Sequence, residues 1–184
     1  MAPSNRDRVG RALEFVGPAL DTFLTGVFEK ETPKGKDWTL LLAAKDSSRG
    51  GPTKTYNRSD PQNGLRMIAD SIPSSYRRGW YPFNEFLSRA EQSMAAELKE
   101  VRNTWAHNGS FNGDDGYRAL DTAERLLRAI GAPKEADEVK RSRIDLMRLS
   151  SDREDRKVTQ SSGTADVGSA GLKPWREVLR PHDD

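Results

Sequence analysis

Glu100-Val101-Arg102-Asn103-Thr104-Trp105-Ala106-His107 closes the longest amphipathic pattern in the chain. Upstream, Phe83, Phe86, Leu87, Ala90, Met94, Leu98, Val101 and Trp105 recur at spacings of three and four. That period paints one apolar stripe along a helix expected from about Phe83 to His107. At about 100° per residue, Asn103 and His107 point away from the stripe, with Glu100 beside them and Arg102 on the shoulder. Ala96 lies on the same outward side, where a small residue lets a partner helix approach closely. Asn108-Gly109 is suited to end the helix.

The rest of the sequence reads as further helices around this one. Ser4-Asn5-Arg6-Asp7 has the form of a capping box ahead of Val9, Leu13, Val16, Leu20, Phe23, Leu24 and Val27. Pro18 within that run predicts a kink or a break. Asp37 is placed to cap a short apolar helix through Trp38, Leu40, Leu41 and Ala44, and 47–64 reads as a surface loop. Asp60-Pro61 opens a helix carrying Leu65, Ile68 and Ile72, with Pro73 as its stop. Asp114-Asp115 opens another, with Tyr117, Leu120, Ala123, Leu127 and Ile130 as its stripe, closed by Gly131 and Pro133. Residues 134–149 predict an extended charged helix. No stretch alternates as a strand does, so the expectation is an all-α domain, a helical bundle over 4–149. The Ser-, Gly- and Thr-rich composition of 150–171 predicts a flexible linker. Residues 172–184, with Leu172, Trp175, Val178 and Leu179, read as a short docking segment or the start of a truncated further domain.

Composition narrows the chemistry. The 184 residues are 34% hydrophobic and 32% charged, with a mean hydropathy of -0.82, so part of the chain is expected to stay unfolded. Lys and Arg number 30 against 28 Asp and Glu, which excludes a blanket polybasic nucleic-acid binder but not a local patch. No run approaches the ~18 apolar residues of a membrane span, and no signal-peptide core precedes the domain. Cysteine is absent, so thiolate metal sites and disulfides are excluded, and a cytoplasmic location is expected. With two histidines, His107 and His182, and no cluster of carboxylates, no metal or other cofactor is expected.

Arg102-Asn103-Thr104-Trp105-Ala106-His107 resembles the signature of the HEPN superfamily: Arg, a polar residue, three variable positions, then His. With the stretches from Ser4 to Leu13 and from Tyr117 to Leu127, the chain resembles the bacterial Swt-type branch of that superfamily over roughly 4–149. Gly171-Leu172-Lys173-Pro174-Trp175-Arg176-Glu177-Val178 resembles the segment opening large ATPases of anti-phage systems such as BREX. That implies a phage-defence or toxin–antitoxin setting, with a partner domain on another polypeptide or a chain that is a fragment.

The resemblance implies a helical domain that forms a homodimer about a two-fold axis, pairing two copies of the motif. Many members are metal-independent endoribonucleases; others are inactive dimerisation or regulatory modules, here attached to or partnering an ATPase. In the ribonuclease reading His107 is the general acid/base at an RNA 2′-hydroxyl or leaving 5′-oxygen, because a histidine ordinarily titrates near neutrality. Arg102 holds the scissile phosphate through its fork of donors, Asn103 positions the phosphate or the ring, and the product carries a 2′,3′-cyclic phosphate. Against it stand plainer readings. Arg102 can pair with Glu97 or Glu100 at the surface, Trp105 continues the apolar stripe as core, and a third use of the Arg102/His107 cleft is nucleotide binding. Arg77-Arg78 beside Trp80-Tyr81 mixes cations and aromatics as RNA grooves do, but a solvated loop with packing aromatics has the same composition.

Overall fold

Six α-helices and one 3-10 turn account for the regular structure among the described residues: α1 (Asn5–Phe28), α2 (Thr39–Ser48), α3 (Pro61–Ala69), α4 (Arg89–Ala106), α5 (Gly113–Ala129) and α6 (Pro133–Gly163), with the turn Pro82–Glu85 ahead of α4. They belong to a computed structural model that describes residues 3–30, 32–48, 50, 54–70 and 82–163. No strand occurs among these, and no helix is long and apolar enough to cross a membrane. The chain divides into two compact units, 1–147 and 148–184.

Local chemistry starts α1 and α3 where the sequence asks. The Ser4 side chain accepts from the Asp7 amide while the Asp7 carboxylate accepts from the Ser4 amide, so two orphan donors are satisfied reciprocally. Asp60 caps α3 with Pro61 at its first position, where a missing N–H costs nothing. Asn112 and Asp115 form another capping box ahead of α5, two residues earlier than Asp114 suggests. At the far end of α5, Gly131 takes a left-handed φ of 80°. Ala132 N–H reaches Leu127 O at 2.8 Å and Gly131 N–H reaches Arg128 O at 3.2 Å, the paired bonds of a Schellman stop.

Pro18 neither breaks nor ends α1. It sits on the exposed side, where the carbonyl it strips of a partner can be hydrated. Val16 and Leu20 on either side, with Leu24 and Phe28 beyond, are buried and hold the two halves in line. Each such side chain contributes ~1.5–3 kcal/mol on burial, comparable to the ~3 kcal/mol a helix-interior proline costs. One core runs through Leu20, Phe28, Trp38, Leu65, Leu98, Leu120 and Val139, with a satellite of Val9, Leu13 and Ala119 against which Val101, Trp105 and Phe111 pack. Close approach places α3: a Cβ at Gly17 would lie 2.2 Å from the Ser59 carbonyl oxygen, so only glycine lets the start of α3 sit against α1.

Helix α4 begins later than the apolar period predicts. Ser88 is its N-cap, forming a capping box with Glu91, and Pro82–Glu85 wind as a tighter turn, with Phe86 N–H bonding Phe83 O at 3.1 Å. A 3-10 turn repeats about every three residues, so its apolar positions mimic the helical spacing. The stripe therefore changes direction at the joint. Phe83 and Leu87 are buried, but Phe86 is 52% exposed and meets Phe23 edge-on, and Ala90 faces solvent.

Residues 150–163 are helical, where composition predicts a flexible linker. No glycine or proline interrupts the sequence between Pro133 and Gly163, and Asp152 precedes Arg156 by four residues, the favoured order for an ion pair along a helix. Within the first unit, Glu124 anchors α6 to α5: it is buried and accepts from Arg143 Nη2 at 2.9 Å, while Arg143 Nη1 donates to Tyr117 Oη at 3.0 Å. The segment 164–184, which includes the Trp175 stretch, and Arg77-Arg78 with Trp80-Tyr81 lie outside the described residues.

Candidate functional site

The last turn of α4 ends as its sequence predicts. His107 is the C-cap and Asn108 takes a left-handed φ of 58°. Gly109 N–H reaches Thr104 O at 2.8 Å and Asn108 N–H reaches Trp105 O at 3.2 Å, again the Schellman pattern. The exit is pinned from 102 residues away, by Arg6 in the first turn of α1. Arg6 Nη2 donates to Asn108 Oδ1 at 2.9 Å and Nη1 to Gly109 O at 3.3 Å, while its guanidinium lies 5.2 Å over the Trp105 ring. Asn5 Nδ2 donates to Phe111 O at 3.2 Å, fixing the chain just beyond. A Cβ at Gly10 would fall 2.7 Å from Trp105 Nε1, so α1 needs glycine there to let the indole lie against it.

Of the sequence candidates, Arg102 is the most constrained. Its Nη2 lies 3.3 Å from both carboxylate oxygens of Asp60, the N-cap of α3, and both side chains are roughly a quarter to a third exposed (26% and 31%). The plainer reading pairs Arg102 with Glu97 or Glu100; neither holds it. Glu97 accepts from Arg118 Nε at 2.5 Å, and Glu100 is exposed. Geometry explains the difference: Arg102 is on the α3 side of the helix, in register with Lys99, which reaches Asp70 at 3.0 Å, whereas Glu97 turns toward α5. Because Asp60 uses only one guanidinium nitrogen, Nε and Nη1 have no partner among the described residues and remain able to grip a phosphate.

His107 is exposed, and its imidazole has no hydrogen-bond partner among the described residues. Asn103 and Ala96 are half-buried, Glu100 and Thr104 exposed. Glu100 lines a cleft of about 490 Å³ between α4 and α5 with Glu97, Val101, Phe111 and Arg118, apart from Arg102 on the other flank. Trp105 is half-buried in the satellite cluster, as the core reading has it. The sequence did not signal two residues of this neighbourhood. Asp60 is legible as a helix cap but nothing local ties it to a residue 42 positions on, and Arg6 is legible only as part of a capping box. Among the described residues no group of three or more His, Asp or Glu gathers as metal ligands would.

What this end of α4 can do chemically follows from those neighbours. It sets one guanidinium, partly neutralised and oriented, five residues ahead of one solvent-facing imidazole at the helix end.

The chain matches no curated protein and no solved structure. A family model described as Swt1-like HEPN matches residues 11–131, more than half of the 184. That span begins inside α1, takes in Asp60, the whole of α4 with Arg102, Asn103 and His107, and ends at the Gly131 stop of α5. Most of α1, the helices α2 to α5 and the motif thus fall within one matched segment, and the chain belongs to the Swt1-like HEPN family.

Proposed function

We propose that the protein is a metal-independent endoribonuclease acting as a homodimer. The observation that carries this is the pairing at Arg102: Asp60 holds the guanidinium by one nitrogen and leaves the other two for a phosphate, five residues ahead of His107, whose imidazole has no hydrogen-bond partner among the described residues. The 2′-hydroxyl of the substrate attacks its own phosphorus, the 5′-oxygen leaves, and a 2′,3′-cyclic phosphate forms. His107 of one or the other protomer takes the hydroxyl proton or returns one to the leaving oxygen. Arg102 offsets the charge that grows on the phosphorane oxygens, and Asn103 aligns the phosphate or the ring. A phage-defence or toxin–antitoxin role, RNA as substrate and a large ATPase as partner belong to the same proposal and rest on family resemblance.

A second reading draws on the same ion pair. Arg102–Asp60 ties α4 to α3, so the motif can serve architecture in a non-catalytic dimerisation or regulatory module. The two separate in one experiment. The purified protein is incubated with structured and single-stranded RNAs in EDTA, and products are tested for cyclic phosphate ends. Cleavage is expected, with loss of at least about a hundredfold in His107→Ala and Arg102→Ala, and little rescue by Arg102→Lys because a point charge does not replace a planar fork. His107→Ala should leave the melting temperature unchanged within a few degrees, since the side chain is exposed. No cleavage of any RNA, with a His107→Ala variant that loses its dimer, establishes the regulatory module instead.

A further inference from the structure

A cleft of about 520 Å³ opens between the first turns of α1, the end of α4 and the middle of the first unit's part of α6. Most of its lining lies outside residues 11–131, and neither Arg102 nor His107 belongs to it. Three guanidinium groups of one helix, Arg6, Arg8 and Arg11, face it together with Trp105. Arg8 is the unusual one. It is only 7% exposed, its Nη1 makes a long bond of 3.4 Å to Ser142 O, and its buried Nε has no partner among the described residues. An orphan donor on a buried cation costs ~1–3 kcal/mol or more, and the partner that relieves it is an acceptor, best an anion. Arg6 is already fixed by Asn108, Gly109 and the indole. Arg11 is exposed and has no partner among the described residues.

The carboxylates in the lining decide which anion. Asp7 is spent on the capping box, where it accepts from Ser4 N at 3.0 Å and Ser4 Oγ at 2.6 Å, while Glu14 and Asp145 stand at the cleft as well. Three carboxylates against three guanidinium groups leave the lining formally neutral. A neutral lining does not draw in a polyanion from a distance, which takes an excess of positive charge along a track. It does allow short-range forks onto a single phosphate, with Glu14 as an acceptor for a hydroxyl group. The volume suits a small molecule. We propose that this cleft binds a compact phosphomonoester bearing hydroxyl groups, such as a ribose or nucleoside monophosphate, with Arg8 and Arg11 on the phosphate. The ligand would then lie against Trp105 and Arg6, at the exit of α4. None of this rests on the ribonuclease proposal.

The test is binding to the full-length protein, followed through the Trp105 indole resonance, assigned by its loss in Trp105→Phe. Inorganic phosphate, ribose 5-phosphate and adenosine 5′-monophosphate are titrated in turn. The two esters should shift the resonance saturably, with Kd on the order of 0.1–1 mM, and inorganic phosphate should do so several-fold more weakly. Arg11→Gln should weaken the esters about tenfold without changing the melting temperature; Arg8→Lys should do the same if it folds, and Arg11→Gln decides the matter if it does not. His107→Ala must bind as wild type does, which separates this cleft from the cleavage motif. Absence of a saturable shift at about 10 mM ester, or a shift indifferent to Arg11→Gln, overturns the proposal. So does an RNA oligonucleotide without terminal phosphate that displaces the esters at equal concentration, because the cleft is then a backbone track.

Discussion

Arg102 draws its orientation from one residue, Asp60, and the two are coupled in a way that can be measured without any activity. Asp60 serves twice, accepting from Gln62 N–H at 2.9 Å as the α3 cap and from Arg102 as its counter-ion. Serine keeps the first role and loses the second, so Asp60→Ser isolates the ion pair. A double-mutant cycle of Asp60→Ser and Arg102→Gln, by urea denaturation, should return a coupling of about 0.5–1 kcal/mol, the usual range for a partly exposed pair. Additive losses would mean the contact at 3.3 Å carries no energy and leave Arg102 unoriented. If the ribonuclease proposal holds, Asp60→Ser should also lower kcat more than it raises KM, since a misaimed guanidinium fails chiefly in the transition state. This pair marks the limit of what the sequence discloses at the site. Arg102, Asn103 and His107 are legible as a spaced motif, but the partner of Arg102 comes from a distant helix start, and only the fold brings it near.

Among the elements, α2, α3 and α4 are laced by a charged network that the apolar pattern does not hint at. Arg66 of α3 donates to both oxygens of Asp46 in α2, at 2.7 and 3.1 Å, and the Tyr56 hydroxyl donates to the same carboxylate. Asp70, just past α3, receives Lys99 of α4 at 3.0 Å and Lys45 of α2 at 3.4 Å. Burial alone would raise the Asp70 pKa, but the two ammonium groups outweigh it and the value falls. At Asp46 the bond from Arg66, then that from Tyr56, lowers the pKa from 3.8 to about 2. The folded carboxylate therefore holds its proton less tightly than the unfolded one. Its contribution is complete above pH 3.8 and is lost as the pH falls through that value toward 2. With the Asp46 side chain 22% exposed, the contribution at neutral pH is on the order of 1–2 kcal/mol after screening. Asp46→Asn should thus be destabilised by that amount at pH 7 and approach wild type near the acid limit; an equal difference at both pH values would show the network to be energetically silent. Legibility divides along the same line. Caps and stops are written locally, as at Ser4, Asp60, Asn108 and Gly131. The displaced start of α4 and the helical run past Ser150 are not, because a 3-10 turn copies the helical period and a polar composition hides a span that no glycine or proline interrupts before Gly163.

For the molecule as a whole, the open question is what covers the outward face of α4. Glu100 and His107 are exposed, Ala96 is half-buried, and none of the three serves the core, which takes Ala95 and Leu98 from the same helix. One imidazole and one guanidinium make half of an acid–base pair, so cleavage at a useful rate asks for a second motif, and a second copy of the chain would supply it. Ala96 is the residue at which two such helices would meet with least obstruction. The protein should therefore sediment as a dimer at tens of micromolar, and Ala96→Arg should sediment as a monomer with an unchanged circular dichroism spectrum, because a half-buried alanine on a helix face accepts a long side chain that can turn to solvent. A specific dimer buries ~1,200–2,000 Å² in total, enough that one bulky charge at its centre is decisive. Equilibrium sedimentation of both proteins, with RNA cleavage measured on the same samples, connects assembly to chemistry. A monomeric Ala96→Arg that still cleaves would locate the whole reaction within one chain, and a dimeric one would move the interface away from α4. A wild-type protein that stays monomeric at these concentrations would remove the composite site altogether, leaving Arg102 and Asp60 as the joint between two helices.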